Sequence, residues 1–234
     1  FCSVIKVKRV VVFGSGGGIG RPICKSFLSE RYWVISVDLD LKRAWEALGC
    51  KGSNGEAFQC DATDPGAVQM LAEKIWSNGP VDAIVYSPGI VFTQDLCEMN
   101  WEKYRELMAI NLDGAFYCAS AFVALMLNNR YPGSFVFISS SAGKKGEAGA
   151  TAYCASKFGL IGMVQSFAAE TAKLGIRANV ICPGNVDTPM LNLLAEQISD
   201  REDKPLEIVK QELLDESFSG RLVSPEEVSR SCVW

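Results

Sequence analysis

The stretch VVVFGSGGGIG, Val10–Gly20, runs from four apolar residues into a segment with five glycines. Because a glycine inside a regular element costs about 0.5–1 kcal/mol relative to alanine, this density predicts a loop. A strand, a glycine loop and a helix in this order let a pyrophosphate approach the backbone N–H groups at the helix N-terminus. The loop residues predicted to bind it are Gly14, Gly16, Gly17, Gly18, Ile19 and Gly20.

The composition limits the classes of protein to which the chain can belong. Its 234 residues are 48% hydrophobic, enough for a sizeable core, so we predict a single domain over residues 1–234. The formal net charge is −4 without a basic cluster, which argues against a nucleic-acid partner. The longest strongly apolar stretch, Phe116–Leu127, is too short to span a bilayer, so no membrane partner is expected.

Histidine is absent, which excludes a Ser-His-Asp triad, a histidine general base and histidine metal sites. We therefore predict no metal, and proton transfer must use Tyr, Lys, Asp, Glu or Cys. The nine cysteines are odd in number and none forms a C-x-x-C pair, which predicts reduced thiols in a cytoplasmic protein.

Short apolar runs alternate with longer helical patterns along the chain. Several runs are apolar on both faces, as in a parallel sheet that is covered on both sides. The alternation predicts an α/β fold, a doubly wound parallel sheet of the Rossmann type with helices on both faces. The predicted strands are Arg9–Phe13, Trp33–Val37, Glu56–Cys60, Val81–Tyr86, Ser134–Ile138 and Ile176–Ile181. The predicted helices are Ile19–Glu30, Leu41–Leu48, Pro65–Ser77, Trp101–Asn129 and Thr151–Leu174.

Acidic residues at the ends of the second and third strands indicate which dinucleotide fits the glycine loop. Asp38 lies 18 residues after Gly20, where a carboxylate accepts hydrogen bonds from the adenosine ribose and repels a 2′-phosphate. With Leu39 after it and no Lys or Arg inside the loop, NAD(H) is favoured over NADP(H). Asp61 and Ala62 follow the third strand and are predicted to contact adenine. The alternatives are a flexible glycine loop, a helix cap or solvated turn at Asp38, and a simple turn at Asp61.

The stretch FISSSAGKKGEAGATAYCASK, residues 137–157, carries a tunable acid/base. Tyr153 and Lys157 are spaced i and i+4, which puts both on one face of a helix. An ammonium beside a phenol stabilises the phenolate and lowers its pKa from about 10, which predicts an acid/base near neutral pH. Ser140 follows the fifth strand, at the edge where such a sheet presents its site. The alternative for Tyr153 and Lys157 is a surface pair.

Together these motifs resemble those of the short-chain dehydrogenase/reductase family. The resemblance runs from about Val7 to the end of the chain. It rests on GSGGGIG (14–20), Asp61, Asn111 in MAINLDGAF, the spacing of Ser140, Tyr153 and Lys157, and CPGNVDTPM (182–190).

The resemblance implies a strand order of 3-2-1-4-5-6 and a role for each site residue. Tyr153 would be the general acid/base on the substrate oxygen, Lys157 would hold the nicotinamide ribose and lower the tyrosine pKa, and Ser140 would orient the carbonyl or hydroxyl. Asn111 would anchor a water in a proton relay through Lys157. Taken alone, Asn111 would more often be a satisfied core amide, and Thr188 a helix cap. Besides the loop and the residues after the second and third strands, the implied cofactor-binding residues are Ser87, Gly89, Tyr153, Lys157, Pro183, Gly184, Val186 and Thr188.

Three features depart from the family pattern. Where the family has threonine before the first glycine and Asn-Asn-Ala-Gly after the fourth strand, this chain has Phe13 and YSPG (86–89). We hypothesise that Phe13 and Tyr86 or Pro88 replace a polar contact between the first and fourth strands with apolar packing. The sequence also stops inside a Pro-Glu-Glu-Val helix, so we expect a chain truncated at both ends and without the final strand of the sheet.

The sequence predicts an NAD(H)-dependent oxidoreductase that interconverts a secondary alcohol and a ketone by hydride transfer. Residues 189–220 are expected to form a helical substrate lid, and DKPLEIV within it is similar to lids of acetoin, butanediol and polyol dehydrogenases. A small polyol or hydroxyketone is the first candidate substrate; dihydrodiols, cyclic alcohols, hydroxysteroids and 3-oxoacyl thioesters are alternatives. A homo-oligomer, tetramer or dimer, is expected. The rival interpretation is a non-catalytic dinucleotide-binding regulator.

Overall fold

A computed structural model describes residues 7–49, 54–217 and 219–234. Two cysteines predicted to be reduced, Cys2 and Cys50, lie outside these residues, and the other seven are free thiols. The strands are β1 (Arg9–Phe13), β2 (Trp33–Asp38), β3 (Gly55–Gln59), β4 (Ala83–Tyr86), β5 (Gly133–Ile138) and β6 (Ile176–Ile181). They pair in parallel in the order β3-β2-β1-β4-β5-β6, which confirms the predicted sheet.

Helices connect the strands and cover both faces of the sheet. They are α1 (Gly20–Ser29), α2 (Leu41–Ala47), α3 (Pro65–Ser77), α4 (Trp101–Met108), α5 (Gly114–Asn128), α6 (Thr151–Thr171), α7 (Pro189–Glu202), α8 (Leu206–Asp215) and α9 (Pro225–Val233). Helices α3, α5 and α6 pack a core against one face, and α1, α2 and α9 pack a second core against the other. Because side chains alternate along a strand, Val11 faces the first core while Val10 and Val12 face the second.

The predicted helix Trp101–Asn129 is interrupted in the structure. Between α4 and α5 the backbone forms a π-helical turn, Ala109–Asp113, which we call the π-turn. The N–H of Gly114 donates there to the carbonyl of Ala109, five residues back, instead of to the carbonyl four residues back. Hydrophobic periodicity averages over several turns, so one extra residue in a single turn left no signal in the sequence.

The run Trp101–Asn128, which contains α4, the π-turn and α5, is long and apolar enough to cross a membrane by length and composition alone. Within the described residues it is the one helical run that meets this criterion, with a mean hydropathy of 1.5. Core helices meet the same criterion, and α5 contributes Phe122 and Met126 to the first core. The run is therefore weak evidence for a membrane span.

The carboxyl ends of β1, β4 and β5 carry a row of aromatic side chains. Phe13, Tyr86 and Phe137 are register partners on adjacent strands and are almost fully buried. The ring centroids lie 6.2 Å apart for Phe13 and Tyr86, and 6.4 Å apart for Tyr86 and Phe137. Phe122 of α5 makes an edge contact with Phe13 at 6.3 Å. The hypothesis of apolar packing between the first and fourth strands is confirmed as a ring contact of Phe13 with Tyr86.

We expect Phe13→Thr to lower the free energy of unfolding by about 3 kcal/mol or more, because it removes a buried ring together with its aromatic contacts. Equilibrium urea unfolding followed by circular dichroism measures the change. Phe13→Leu is the control, since it keeps most of the buried apolar volume and should cost less. A neutral or stabilising effect of Phe13→Thr would contradict this structural role of the ring.

Candidate active site

A cleft of about 620 Å³ opens at the carboxyl ends of the strands, above β1 and β4. The strand order reverses between these two strands, and doubly wound sheets bind their ligands at such a point. The volume is in the range of small-molecule and cofactor sites. The predicted cofactor-binding residues that line the cleft are Gly14, Gly17, Gly18, Ile19, Asp38, Leu39, Asp61, Ala62, Ser87, Gly89 and Thr188.

The glycine loop lies directly against the segment that follows β4. Gly14 has a φ of +69°, and a Cβ there would lie 2.7 Å from the backbone nitrogen of Pro88. A Cβ on Gly20 would collide with the Gly14 carbonyl, so α1 begins in contact with the loop. Among the described residues no side chain caps the N-terminus of α1. The N–H of Arg21 donates to the carbonyl of Gly17 and Pro22 has no N–H, so an anion here would be bound by the N–H groups of the glycine loop and of Gly20. The loop therefore fits the pyrophosphate of a dinucleotide.

Asp38 is fixed in place by the loop that it faces. Its side chain is buried and accepts hydrogen bonds from the N–H groups of Gly16 at 2.9 Å and Asp40 at 3.2 Å. Gly16 itself is buried behind the cleft wall. The carboxylate of Asp38 thus stands at the wall, where the adenosine ribose is expected.

Arg43 is a cleft residue that sequence reasoning missed. It lies in the first turn of α2, lines the cleft with Asp38, and donates from Nη2 to the carbonyl of Gly16 at 2.9 Å. The sequence signal that could have identified Arg43 is its position in the first turn of the helix that follows Asp38. No basic residue stands inside the glycine loop, but α2 brings one back to it.

Tyr153 and Ser140 meet from α6 and from the end of β5. The Ser140 hydroxyl accepts a hydrogen bond from the N–H of Ala142 at 3.2 Å. Tyr153 lies in the first turn of α6, half-buried and packed against Ala142, Ala150 and Cys154. Burial raises the pKa of Tyr153, and a hydrogen bond with the Ser140 hydroxyl partly offsets this rise. The predicted acid/base and the predicted orienting hydroxyl are therefore in contact.

Lys157 lies one turn beyond Tyr153 and is buried. Its Nζ donates to the carbonyl of Ile138 at 3.1 Å and lies 5.6 Å from the centroid of the Tyr153 ring. Burial lowers the pKa of Lys157 to about 8, and Cys182 opposes this shift. The predicted lowering of the pKa of Tyr153 is wrong, because burial of the phenol dominates and raises it.

Asn111 belongs to the π-turn and is fully buried. Its Nδ2 donates to the Ile90 carbonyl at 3.0 Å and to the Ser156 hydroxyl at 3.1 Å, and its Oδ1 accepts from the Ile90 N–H at 2.9 Å. Three of the four hydrogen-bonding positions of the amide are thus used. A Cβ on Gly89 would lie 3.4 Å from Nζ of Lys157 and 3.5 Å from Oδ1 of Asn111. Asn111 is therefore a satisfied core amide that also borders the lysine.

The predicted cofactor-binding residues that follow β6 are only partly on the cleft wall. Thr188 lines the cleft, and a Cβ on Gly18 would lie 2.9 Å from its methyl carbon, so the two segments meet across it. The Val186 side chain is buried in the second core, so the prediction that it faces the cofactor holds at most for its backbone. Pro183 and Gly184 follow β6 and are not part of the wall.

Asp61 serves as a turn residue and also lines the cleft. Its Oδ1 accepts hydrogen bonds from the N–H of Thr63 at 2.8 Å and from the Thr63 hydroxyl at 2.7 Å. Both predicted roles of Asp61 are therefore compatible with its position. Across the described ranges, no group of three or more Cys, Asp or Glu side chains is arranged to hold a metal ion.

Helices α7 and α8 form a separate small layer that corresponds to the predicted lid. Gln197 of α7 accepts a hydrogen bond from the N–H of Thr93 at 3.0 Å, and Arg201 donates to the Ala148 carbonyl at 3.4 Å. These bonds connect the layer to the loops that follow β4 and β5. The two helices share an apolar cluster of Ala195, Val209 and Leu213.

Comparison with known proteins identifies the family. The family model described as short chain dehydrogenase matches residues 8–199. The (3R)-3-hydroxyacyl-CoA dehydrogenase of Homo sapiens is 34% identical over 203 residues, which cover 82% of this chain and 78% of that protein. The 3-oxoacyl-[acyl-carrier-protein] reductase of Escherichia coli K12 is 32% identical over 190 residues, which cover 81% and 78%.

Solved structures show the same likeness in three dimensions. Sorbitol-6-phosphate 2-dehydrogenase from Erwinia amylovora has a TM-score of 0.89 at 27% identity, over 96% of this chain and 90% of that one. An actinorhodin polyketide ketoreductase solved with NADPH has a TM-score of 0.88 at 28% identity, over 97% and 89%. The chain therefore belongs to the short-chain dehydrogenase/reductase family of oxidoreductases, whose cofactors are nicotinamide dinucleotides. This confirms the family that the motifs indicated.

We expect Lys157→Met to be more stable than the parent at pH 7, by about 1–3 kcal/mol, because it removes a buried ammonium. The folded pKa of about 8 is below the ordinary lysine value, so the unfolded chain binds more protons above pH 8. The parent therefore gains stability as the pH rises from 8 to 10. The difference in free energy of unfolding between Lys157→Met and the parent becomes smaller over the same range. Urea unfolding at pH 7 and pH 10 measures this.

The exposed Lys173 supplies the control, since Lys173→Met should change stability by less than about 0.5 kcal/mol at either pH. If the stability difference between Lys157→Met and the parent were the same at pH 7 and pH 10, burial of the ammonium would not be its cause.

Proposed function

We propose that the chain is an NAD(H)-dependent oxidoreductase that interconverts a secondary alcohol and a ketone. The observation that carries the proposal is the meeting of Ser140, Tyr153 and Lys157 beside a cleft that the glycine loop lines. A bound nicotinamide supplies the hydride acceptor or donor. The protein supplies proton transfer and the orientation of the substrate oxygen.

The protonation of Tyr153 determines which direction of proton transfer is ready at neutral pH. Because its pKa is raised, the phenol keeps its proton and can donate it to the oxygen of a ketone under reduction. The Ser140 hydroxyl, in contact with the phenol, orients that oxygen. For alcohol oxidation the phenol must first lose its proton, and the Lys157 ammonium stabilises the phenolate that results. Alcohol oxidation should therefore accelerate as the pH rises.

The preference for NAD(H) is supported by the buried carboxylate of Asp38. A 2′-phosphate on the adenosine ribose would face this negative charge, whereas a free hydroxyl would donate to it. Arg43 has the opposite charge, but it is exposed to solvent and already donates to the carbonyl of Gly16. Solvent screens an exposed charge more than a buried one, so Asp38 dominates.

A small hydroxyketone or polyol is the first substrate class, supported by the lid and by charge near the phenol. After burial, the carboxylate of Glu147 contributes to the raised pKa of Tyr153. The pKa of Glu147 is itself raised by burial and by Glu216, which follows α8. Negative charge here disfavours an anionic group close to the reacting carbon. The similar sorbitol-6-phosphate dehydrogenase carries a polyol name, which agrees with this class.

A 3-hydroxyacyl thioester is a second candidate, favoured by a different observation. The relatives at 32–34% identity are a (3R)-3-hydroxyacyl-CoA dehydrogenase and a 3-oxoacyl-[acyl-carrier-protein] reductase. Their reacting group is also a neutral secondary alcohol or ketone, which the same three residues would serve. The rival class is a regulator that binds the dinucleotide without turnover.

We also propose that copies of the chain associate, as expected for a homo-oligomer. Phe116 of α5 and Phe158 of α6 are exposed on helices whose opposite sides pack on the sheet. Large apolar side chains at the surface of two neighbouring core helices favour a protein contact. The free thiols among the described residues support a cytoplasmic location.

We expect turnover of at least one compound of a panel. The alcohols butane-2,3-diol, sorbitol, sorbitol 6-phosphate and 3-hydroxybutyryl-CoA are offered with NAD⁺, and the ketone acetoin is offered with NADH. Absorbance of the reduced nicotinamide follows the reaction. Tyr153→Phe should lower kcat about 10²–10⁴-fold, because it removes the proton donor and acceptor. Tyr32→Phe, at the opposite end of the sheet, should leave kcat unchanged. Tight NADH binding without turnover on any compound would favour the regulator.

Asp38→Ser should raise the ratio of kcat/KM for NADP⁺ to that for NAD⁺ at least about tenfold, because it removes the charge that repels a 2′-phosphate. Asp40→Ser is the matched control, since Asp40 caps α2 two residues away and serine retains the capping oxygen. Steady-state kinetics with both cofactors measure the ratio. If the parent enzyme preferred NADP⁺, Arg43 and not Asp38 would determine the cofactor preference.

A further inference from the structure

Tyr86 ends β4 and is the residue of the aromatic row (Phe13, Tyr86 and Phe137) that carries a hydroxyl. Its side chain is almost fully buried, and its Oη donates to the carbonyl of Ile110 at 2.7 Å. Burial raises the pKa of Tyr86 well above its ordinary value, so the hydroxyl keeps its proton and remains a donor at neutral pH.

The π-turn takes from the carbonyl of Ile110 the partner that it would have in a regular α-helix. In a regular α-helix this carbonyl would accept the N–H of Gly114, four residues further on. In the π-turn that N–H donates to the carbonyl of Ala109 instead. The Tyr86 hydroxyl therefore supplies a hydrogen bond that the wide turn has withdrawn from Ile110.

Gly114 provides the space that the Tyr86 hydroxyl occupies. A Cβ on Gly114 would collide with Oη of Tyr86 and would lie 2.8 Å from the carbonyl of Ala62. Gly114 is buried at the first position of α5, and a glycine costs a helix about 1 kcal/mol relative to alanine. The close approach of the tyrosine gives a reason for a glycine at this position.

The π-turn connects this hydrogen bond to the candidate active site. Two of its residues, Ala109 and Ile110, line the cleft. A third, Asn111, bonds to both backbone polar groups of Ile90 and to the hydroxyl of Ser156, the residue before the site lysine. A displacement of the π-turn would therefore move the cleft wall and the surroundings of the lysine together.

We infer that Tyr86 is a positioning residue, which fixes the π-turn through its hydrogen bond to Ile110 and thereby places Asn111 and the cleft wall beside Lys157. Tyr86 is almost fully buried and its hydroxyl bonds to the backbone of Ile110, so it acts through the π-turn. The inference rests on the proposed function for its kinetic readout only. Its structural readout needs no substrate.

The test compares Tyr86→Phe with Tyr131→Phe. The Tyr131 hydroxyl donates to Oδ1 of Asp82 at 2.7 Å, just before β4, so the control removes a phenol hydrogen bond at the opposite end of the same strand. Amide hydrogen exchange by mass spectrometry reports on Ile90 and on residues 109–115. We expect exchange there to accelerate about tenfold or more in Tyr86→Phe and to stay at the parent rate in Tyr131→Phe.

Kinetics with the best substrate of the panel above give the second readout. Tyr86→Phe should lower kcat about tenfold, while the KM for NAD⁺ changes less than about threefold, because the adenosine side of the cleft is untouched. Tyr131→Phe should leave both constants unchanged. The urea midpoints of both variants, measured alongside, separate a loss of positioning from a loss of stability.

Gly114→Ala tests the same contact by adding a methyl group where the Tyr86 hydroxyl lies. The added methyl should displace the Tyr86 hydroxyl and lower the urea midpoint, or prevent folding altogether. In the double variant Tyr86→Phe/Gly114→Ala the hydroxyl is gone, so the methyl should do less damage and folding should be partly rescued.

Unchanged exchange at Ile90 and residues 109–115 in Tyr86→Phe would overturn the inference. A kcat within about twofold of that of Tyr131→Phe would also overturn it. If the parent itself turns over no member of the panel, the proposed function fails, and hydrogen exchange still decides the role of Tyr86.

Discussion

The contact between the rings of Phe13 and Tyr86 joins the two strands above which the cleft opens. The strand order reverses at this pair, so the positions of their carboxyl ends fix the floor of the site. The loops that leave the two strands come equally close, since Gly14 packs on Pro88 with no room for a side chain. Apolar packing below and backbone contact above thus hold the two strand ends together at the floor of the site.

Burial governs the chemistry of the site as well as its shape. Desolvation raises the pKa of the Tyr153 phenol and lowers that of the Lys157 amine to about 8, because each neutral form is favoured away from water. The phenol therefore holds its proton more tightly than the ammonium does. The resting site at neutral pH is a protonated tyrosine beside a lysine that is close to losing its charge. In this state Tyr153 can donate a proton to a ketone, but it must lose its proton before it can accept one from an alcohol.

Features that are written in several adjacent residues could be predicted from the sequence. The bounds of β1, β6 and α3 agree with the predicted ones, because apolar runs mark the strands and Asp64-Pro65 marks the start of α3. The glycine loop together with the spacing of Ser140, Tyr153 and Lys157 predicted the candidate site. Each of these signals depends on local chemistry, which a sequence displays directly.

What the sequence did not show depends on contacts between distant segments. Arg43 reaches the glycine loop because α2 folds back on it, and the direction of the pKa shift at Tyr153 depends on how deeply the phenol is buried. The π-turn is the clearest case. Its position is stabilised by a tyrosine that lies 24 residues earlier in the chain, on a neighbouring strand.

Packing between aromatic rings does not by itself fix the segments around it, and the Tyr86 hydroxyl adds that restraint. Ring packing stabilises by area and is weakly directional, so it can hold two strands together without fixing the orientation of the segments around them. A hydrogen bond restricts both distance and angle. Because the Tyr86 hydroxyl bonds to the carbonyl of Ile110, the position of β4 determines the position of the π-turn. Gly114 is then required for steric reasons, because a Cβ there would collide with the hydroxyl that makes this bond.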